Sequence, residues 1–471
     1  MLGFGGNRLS VYGTKISYDT EWSGPLNVKR KAENIPFAIA YYLFVALWVG
    51  VATYAMTAGD ARDNDFYHES EDFVFKEGWT IAIVFPLAIF TSILFLCLLR
   101  IAAKPLVYGI IGLIFVVLFG LVLVTGIMLF SPHTEGLLGW FIVAVVLLIA
   151  FLVLFFVKYR FVPVICELVR EGAKAVLAFP SMFLYSLCQT VLVLSFSIFN
   201  ISLFYTIDSI GSEDDYPAHL TFCHSVNGLA LVWINCHLFA FFKVSASGAY
   251  GTWYWTTNKK DVPRFTALRF IYIALRYHIG PTAFGSLVIL VCYALQLLIY
   301  TFSSSSNDET PGAYECCMTC CRTALYCVKV VVEAVTGMAY IRIGHHGSGF
   351  VDAARASFGV FKRNYAKIII LSRITTALCI FIKLMIVILS LLLFWGLLSS
   401  QSVKLEERLG TLFLLGLCIY IVVNAELRLL QIAIENMFLC VLEDYEMNSG
   451  SQRSYHMSKK LKELVIENRL E

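Results

Sequence analysis

Charge is what this chain has least of. Only 15% of its 471 residues are Asp, Glu, Lys or Arg, while 59% are hydrophobic, and its mean hydropathy is +0.75. A water-exposed surface around a chain of this length needs far more charge, so a soluble globular protein is excluded. The net charge of +3 comes without any dense basic run, which removes nucleic acid as a partner. Phosphate-cradling glycine loops, HExxH and GxSxG are all absent, so the sequence reads as a non-enzyme with no cofactor-binding motif. The opening stretch, MLGFGGNRLSVYGTKISYDTEW, has no apolar core, and the first apolar run begins near Ile35; the stretch does not read as a signal peptide.

What is present is a series of continuous apolar runs. Each helical crossing of a ~30 Å hydrocarbon core needs roughly 20 such residues. Runs at about 35–56, 79–99, 106–130, 137–157, 181–205, 220–242, 278–302, 324–343, 374–398 and 409–432 meet that demand. They predict an all-α polytopic membrane protein with about ten spans, in contact with the lipid bilayer; a β-barrel would alternate instead. The run at 324–343 is atypical because it carries Lys329, Glu333 and Arg342, the first two spaced to neutralise one another on one helix face.

Basic residues sort to one side. Lys15, Lys29, Arg30 and Lys31 precede the first run, and an acidic loop, TAGDARDNDFYHESEDFVFKEG, follows it. Basic clusters recur at Arg100 and Lys104, at Lys158 to Lys174, at Lys243 to Arg276 and at Arg355 to Arg373. The positive-inside rule then places both termini in the cytoplasm, and parity requires the 324–343 run to cross. The expected organisation is a cytoplasmic segment 1–34, a transmembrane domain 35–442 and a cytoplasmic tail 443–471. Between the fourth and fifth runs, Glu167, Arg170, Glu171 and Lys174 recur on one helical face, which predicts an amphipathic helix near 163–178 on the cytoplasmic membrane surface.

Polar groups inside apolar runs are the functional signal, because an unpaired charge in hydrocarbon costs several kcal/mol. Lys383, Glu426 and Arg428 fall within the last two runs. Lys383 reads either as the structural partner of a carboxylate such as Glu426 or as part of a pathway. Asn200, Asn227, Asn235 and His237 cluster in the fifth and sixth runs, as interhelical hydrogen bonders or ligand contacts. The small residues of SASGAYGTW permit a broken or closely packed helix, and HIGPTAFGS places Gly280, Pro281 and Gly285 in an entry turn, so 244–286 is the segment expected to shape a pathway. His345-His346 lacks a third metal ligand nearby in sequence, and no metal site is expected. The cluster CCMTCC (Cys316, Cys317, Cys320, Cys321) reads as a disulfide if it faces outside and as an acylation site if it faces inside.

Five stretches resemble the choline transporter-like family of eukaryotic membrane proteins. GTWYWTTNKKDVPRF supplies Trp253, Tyr254, Trp255, Lys259, Lys260, Asp261, Pro263 and Phe265; RYHIGPTAFGSL supplies Arg276, Tyr277, His278, Gly280 and Gly285. Glu171, Lys174, Pro180 and Ser181 match a third stretch, Arg363, Asn364 and Lys383 a fourth, and the tail from Phe438 through Glu443, Asp444 and Glu446 to Ser451 a fifth. Asn258, Pro281 and Ile382 depart from the family pattern, and the short first loop is similar to the fungal, plant or protist branch.

The resemblance implies movement of choline, or a related quaternary or primary amine, across the plasma membrane or an organelle membrane. The alternatives are a non-transporting scaffold and a channel for another small solute. A quaternary cation is held by aromatic faces, each contributing ~0.5–2 kcal/mol, with a carboxylate for charge compensation. Trp233, Tyr250, Trp253, Asn235 and Glu426 are the substrate-contact candidates, with Lys383, Arg428, Asn200, Asn227 and His237 as structural or pathway polar groups.

Overall fold

The computed structural model describes residues 24–59, 65–129, 137–211, 217–304, 312–398, 405–448 and 455–467. Apart from three short 3-10 turns, its elements are α-helices, and the described residues form no strand. Eight of these helices are long and apolar enough to cross a membrane, which makes the chain an all-α polytopic membrane protein.

In chain order the helices begin with α1 (Ile35–Ala58), α2 (Asp65–Met128), α3 (Leu137–Lys158) and α4 (Val162–Leu177). Next come α5 (Ser181–Asp208), α6 (Ala218–Trp255), α7 (Thr266–Tyr277) and α8 (Ile279–Ser304). The series ends with α9 (Gly312–His346), α10 (Phe350–Leu398), α11 (Leu405–Asn448) and α12 (Lys459–Glu467). α2 joins two expected spans into one 64-residue element broken at Ala102, where φ −127° and ψ 41° leave the helical region. Unbroken, it would be about 96 Å long, three times a hydrocarbon core. The atypical eighth run belongs to α9, a continuous 35-residue helix that starts well before residue 324.

α6 and α11 form the centre. α6 touches α1, α5, α7, α8, α9 and α11, and α11 also touches α2, α4, α5 and α10. Between helices in lipid, close approach and interhelical hydrogen bonds replace the hydrophobic drive. α6 is built for this along Ser245, Ala246, Ser247, Gly248, Ala249 and Gly251, all buried. Asn436 of α11 donates to the carbonyl of Ser247 at 2.9 Å. At Gly251 a Cβ would collide with the His345 ring of α9, so only glycine permits this crossing. SASGAYGTW is therefore an unbroken helix pressed against its neighbours, the closely packed of the two expected forms, and the chain leaves the helix only after it, in the largely exposed turn 256–265 that leads into α7. Gly280 and Pro281 sit in the first turn of a continuous α8, with Gly285 within the helix facing Tyr340 and Phe350.

The two short amphipathic helices differ in what covers their apolar faces. α4 has its apolar face buried against α2 and α11, with Leu168, Val169, Ala173 and Val176 fully covered. α12 also touches α4, so this helix is part of the packed bundle. The helix with an open apolar face is α7. Leu268, Tyr272 and Leu275, with Phe265 just before it, are more than half exposed at helical spacing, while Phe270 and Ala274 are buried. Arg264, Arg269 and Arg276 flank that apolar stripe, the pattern of a helix in a bilayer interface.

Candidate functional site

The expected site residues separate into three groups along the bundle. The first is aromatic and joins α1, α5, α6 and α8. The Trp233 ring meets Tyr41 edge-on at 5.5 Å and Phe44 at 4.8 Å, and its Nε1 donates to Ser286 Oγ at 3.1 Å. Tyr41 also lies tilted against His237, with ring centres 4.2 Å apart. Trp48 continues the ladder against Phe196 and Phe199 and donates to Asn227 Oδ1 at 3.1 Å. Asn227 in turn donates to the carbonyl of Asn200, whose own side chain has no partner among the described residues. Asn235 donates to Ser197 Oγ at 3.0 Å. The polar side chains thus tie α1, α5, α6 and α8 together, and Tyr41, Phe44 and Trp48 are aromatic members that the sequence reading did not single out.

The second group surrounds Glu426. Its carboxylate is fully buried, and neither oxygen has a hydrogen-bond partner among the described residues. The residue before it, Ala425, accepts from Ser186 Oγ of α5 at 2.7 Å, which fixes Glu426 at the α5–α11 contact. Tyr250 of α6, also fully buried with an unpartnered hydroxyl, interacts electrostatically with Glu426. Lys383 does not pair with Glu426. Its Nζ donates to Asn424 Oδ1 at 2.8 Å, two residues earlier on α11 and therefore on a different face. Arg428 places its guanidinium 4.2 Å from the Phe239 ring centre. A buried carboxylate without a partner is costly, so Glu426 stands out from the surrounding polar residues.

The third group closes the basic end of the bundle, and it contains most of the family-like signature. Lys259 donates to the carbonyls of Trp253, Tyr254 and Thr256 at 2.7, 2.9 and 2.8 Å, capping the C-terminus of α6. The same ammonium lies 4.6 Å over the Trp253 ring. Trp253 is thus a buried part of this cap rather than a neighbour of Glu426. Lys260, Asp261 and Pro263 are exposed, and Trp255 packs edge-on against Tyr254 and His456. Tyr254 donates to Asp444 Oδ2 at 3.0 Å, and that oxygen also accepts the backbone amides of His456 and Met457.

Arg30, which the sequence reading used only as a topology marker, seals the other half of this end. It donates to His278 Nε2 at 2.8 Å and to the terminal α9 carbonyls of Ile343 and Gly344 at 3.3 and 2.7 Å. Burial, and next the nearby Arg269, lower the Arg30 pKa to about 10. Burial, and next Arg30, push His278 down to about 3, so its imidazole is a neutral acceptor. Asn34, in the left-handed region at φ 53°, accepts from the Phe350 amide at 2.8 Å and so caps α10 from outside. The carbonyls of Glu33 and Asn34 occupy the space a Cβ on Gly280 would need, which accounts for that glycine. Arg276 and Tyr277 stay at the rim, with the Arg276 guanidinium over both Tyr272 and Tyr277.

Buried between α9 and α11, Arg342 Nη2 meets Glu443 Oε1 at 2.6 Å, and Glu443 Oε2 lies 4.0 Å from His346 Nε2. The Arg342–Glu443 contact is close without being aligned as a hydrogen bond. Donor atoms of His345, His346 and Glu443 fall within 4.8 Å of one another. Glu443 supplies the third group that the His-His pair lacks in sequence, but a cation there would displace Arg342 from its carboxylate. Arg363 of the fourth motif pairs with Glu446 of the fifth through Nε at 3.0 Å and Nη2 at 2.9 Å, just before α10 breaks at Asn364. Cys317, Cys320 and Cys321 carry free thiols near the start of α9, so no disulfide joins these three; the Cys316 side chain lies outside the described residues.

The chain matches the family model described as plasma-membrane choline transporter over residues 142–446, more than half its length. It is 26% identical over 381 residues to choline transporter-like protein 1 of Caenorhabditis elegans, covering 71% of this chain and 49% of the relative. It is 27% identical over 264 residues to choline transporter-like protein 2 of Homo sapiens, covering 54% and 37%. With choline transporter-like 2 of Anopheles gambiae the identity is 27% over 258 residues, covering 54% and 32%. The matched region thus spans about a third to a half of these relatives' length.

Proposed function

Because the chain belongs to the plasma-membrane choline transporter family, we propose that it carries choline or a related small cationic amine across a membrane without ATP hydrolysis. One observation supports a cationic substrate above the others: Glu426 is fully buried in the bundle with neither carboxylate oxygen engaged among the described residues. A cation arriving there supplies the charge partner that the fold leaves out. Tyr250 offers an aromatic face and a hydroxyl beside it, while Trp233 and Asn235 belong to the separate aromatic ladder between α1, α5, α6 and α8, about 25 Å farther along α6.

In this reading both legs of α2 cross the membrane separately and α3 crosses as well, which raises the eight candidate helices to ten spans. Even parity then puts both termini on the basic, cytoplasmic side, leaving 1–34 and 443–471 as cytoplasmic ends and 35–442 as the transmembrane domain. A cytoplasm-negative potential favours uptake of a monovalent cation by about 2.3 kcal/mol per 100 mV. The plasma membrane is the location the family description favours.

The test is uptake of labelled choline into vesicles carrying the purified full chain, with ethanolamine and a neutral solute as competitors. Saturable uptake that ethanolamine reduces and the neutral solute leaves unchanged is expected. Vesicles that show no saturable choline flux, at verified protein incorporation, contradict transport and favour a scaffold.

A further inference from the structure

A cavity of ≈ 330 Å³ opens between α6, α9, α10 and α11, away from Glu426 and from the aromatic ladder. Its volume falls within the roughly 300–1,000 Å³ of small-molecule sites. One wall belongs to α10, where Ser372, Arg373, Thr375 and Thr376 line the space. Serine and threonine inside a helix ordinarily bond back to a carbonyl of the preceding turn. Thr252, Ser245 and Ser390 do so in this bundle. Among the described residues, Ser372, Thr375 and Thr376 make no such bond, and Thr375 Oγ1 is buried without a hydrogen-bond partner. Arg373 has no ion-pair or hydrogen-bond partner among the described residues. A guanidinium with three uncommitted hydroxyls in one cavity matches the oxygens of a phosphate.

Glu333, Glu435 and Lys243 also line the cavity. Glu435 meets Lys243 at 2.6 Å and Glu333 meets Lys329 at 3.7 Å, yet their side chains remain 27% and 42% exposed. Both carboxylates line the cavity and can accept from an ammonium as well. Among the described residues the only aromatic ring on the lining is Phe438, too little for a quaternary cation, which needs several faces. A primary ammonium, with three N–H donors, suits the two carboxylates better. Ile341, Ile369 and Leu439 add apolar contact beside these polar walls.

We infer that this cavity binds a phosphate ester of a primary amine. The phosphate sits on Arg373 with the α10 hydroxyls, and the ammonium sits between Glu333 and Glu435. Two sources share that chemistry, the headgroup of an aminophospholipid and the free ester. The Arg373 wall lies at the start of the apolar segment Ile368–Leu393, within reach of bilayer headgroups.

Native mass spectrometry of the purified full chain, loaded in turn with phosphatidylethanolamine, phosphatidylcholine, phosphatidylglycerol or soluble phosphoethanolamine, tests the assignment. Phosphatidylethanolamine, or phosphoethanolamine in its free form, is expected to be retained in preference to the other two lipids. Arg373→Gln is expected to weaken that retention by roughly tenfold or more. Thr375→Val, nearly isosteric and safe for the fold, weakens it a few-fold by the same reasoning. Arg355→Gln, on an exposed ion pair with Asp352 outside the cavity, leaves it unchanged. Retention of the lipid alone identifies a bilayer headgroup, and displacement of the lipid by the soluble ester identifies the free compound; either supports the chemistry. No retention of either amine ester, equal retention by Arg373→Gln and Thr375→Val, or equal retention of all three lipids overturns it. Glu426→Gln should leave retention unchanged, so this result stands or falls independently of transport.

Discussion

Arg30 and His278, 248 residues apart in the chain, meet at 2.8 Å and close the basic end of the bundle. The same guanidinium holds the last α9 carbonyls, so one side chain fastens the segment before α1 to the α7–α8 junction and to α9. Arg30→Ala leaves several buried acceptors without a donor. It is expected to cost about 2–3 kcal/mol of stability, seen as a lower unfolding midpoint of the purified protein, with Arg30→Lys recovering only part. An unchanged midpoint contradicts the role of Arg30 as a fastener.

The His278 environment predicts a pH effect. Its folded pKa is depressed to about 3 by burial and by Arg30, against an unfolded value near 6.5. Between those values the unfolded chain binds the extra proton, so stability falls as pH drops through that window. By pH 5 the loss from this group alone is about 2 kcal/mol. His278→Gln keeps an acceptor for Arg30 without the titration, so its stability should fall less between pH 7 and pH 5 than that of the unsubstituted protein. Parallel pH profiles would disprove the assignment.

The Arg342–Glu443 pair is buried on both sides, at 1% and 0% side-chain exposure. Removing one partner strands a charge, so Arg342→Met or Glu443→Gln is expected to cost about 3–5 kcal/mol. The double change Arg342→Met with Glu443→Leu should cost markedly less than the sum of the single changes. Additive losses in a thermal or denaturant series would show that the two residues do not act as a pair.

α7 gives a topographic prediction. Spin labels at Leu268, Tyr272 and Leu275 should be accessible to dissolved oxygen and shielded from a water-soluble nickel chelate, because the exposed apolar stripe faces lipid. The reverse accessibility would place α7 in water.

The sequence reading and the structure agree where a single helix decides the outcome, and part where two helices do. Apolar runs made the spans legible, since the need to bury backbone polar groups acts within each helix. Lys383 and Glu426 look like partners on paper, yet the register between α10 and α11 sends Lys383 to Asn424. α4 and α7 carry similar amphipathic patterns, and only the neighbours reveal that α4 is covered while α7 is open. Arg30 read as a topology marker because its acceptors, His278 and the end of α9, are contributed by distant parts of the chain. Gly248 and Gly251 leave open a broken or a closely packed helix, and in the bundle they allow Phe270 and His345 to press against α6.

The most direct test of the central claim is labelled-choline uptake by vesicles carrying either the unsubstituted chain or Glu426→Gln at equal incorporation. The substitution keeps the side chain's size and removes its charge. Saturable uptake by the unsubstituted chain, reduced roughly tenfold or more in Glu426→Gln, is the predicted result. Equal uptake by both proteins would contradict Glu426 as the residue that receives the cation.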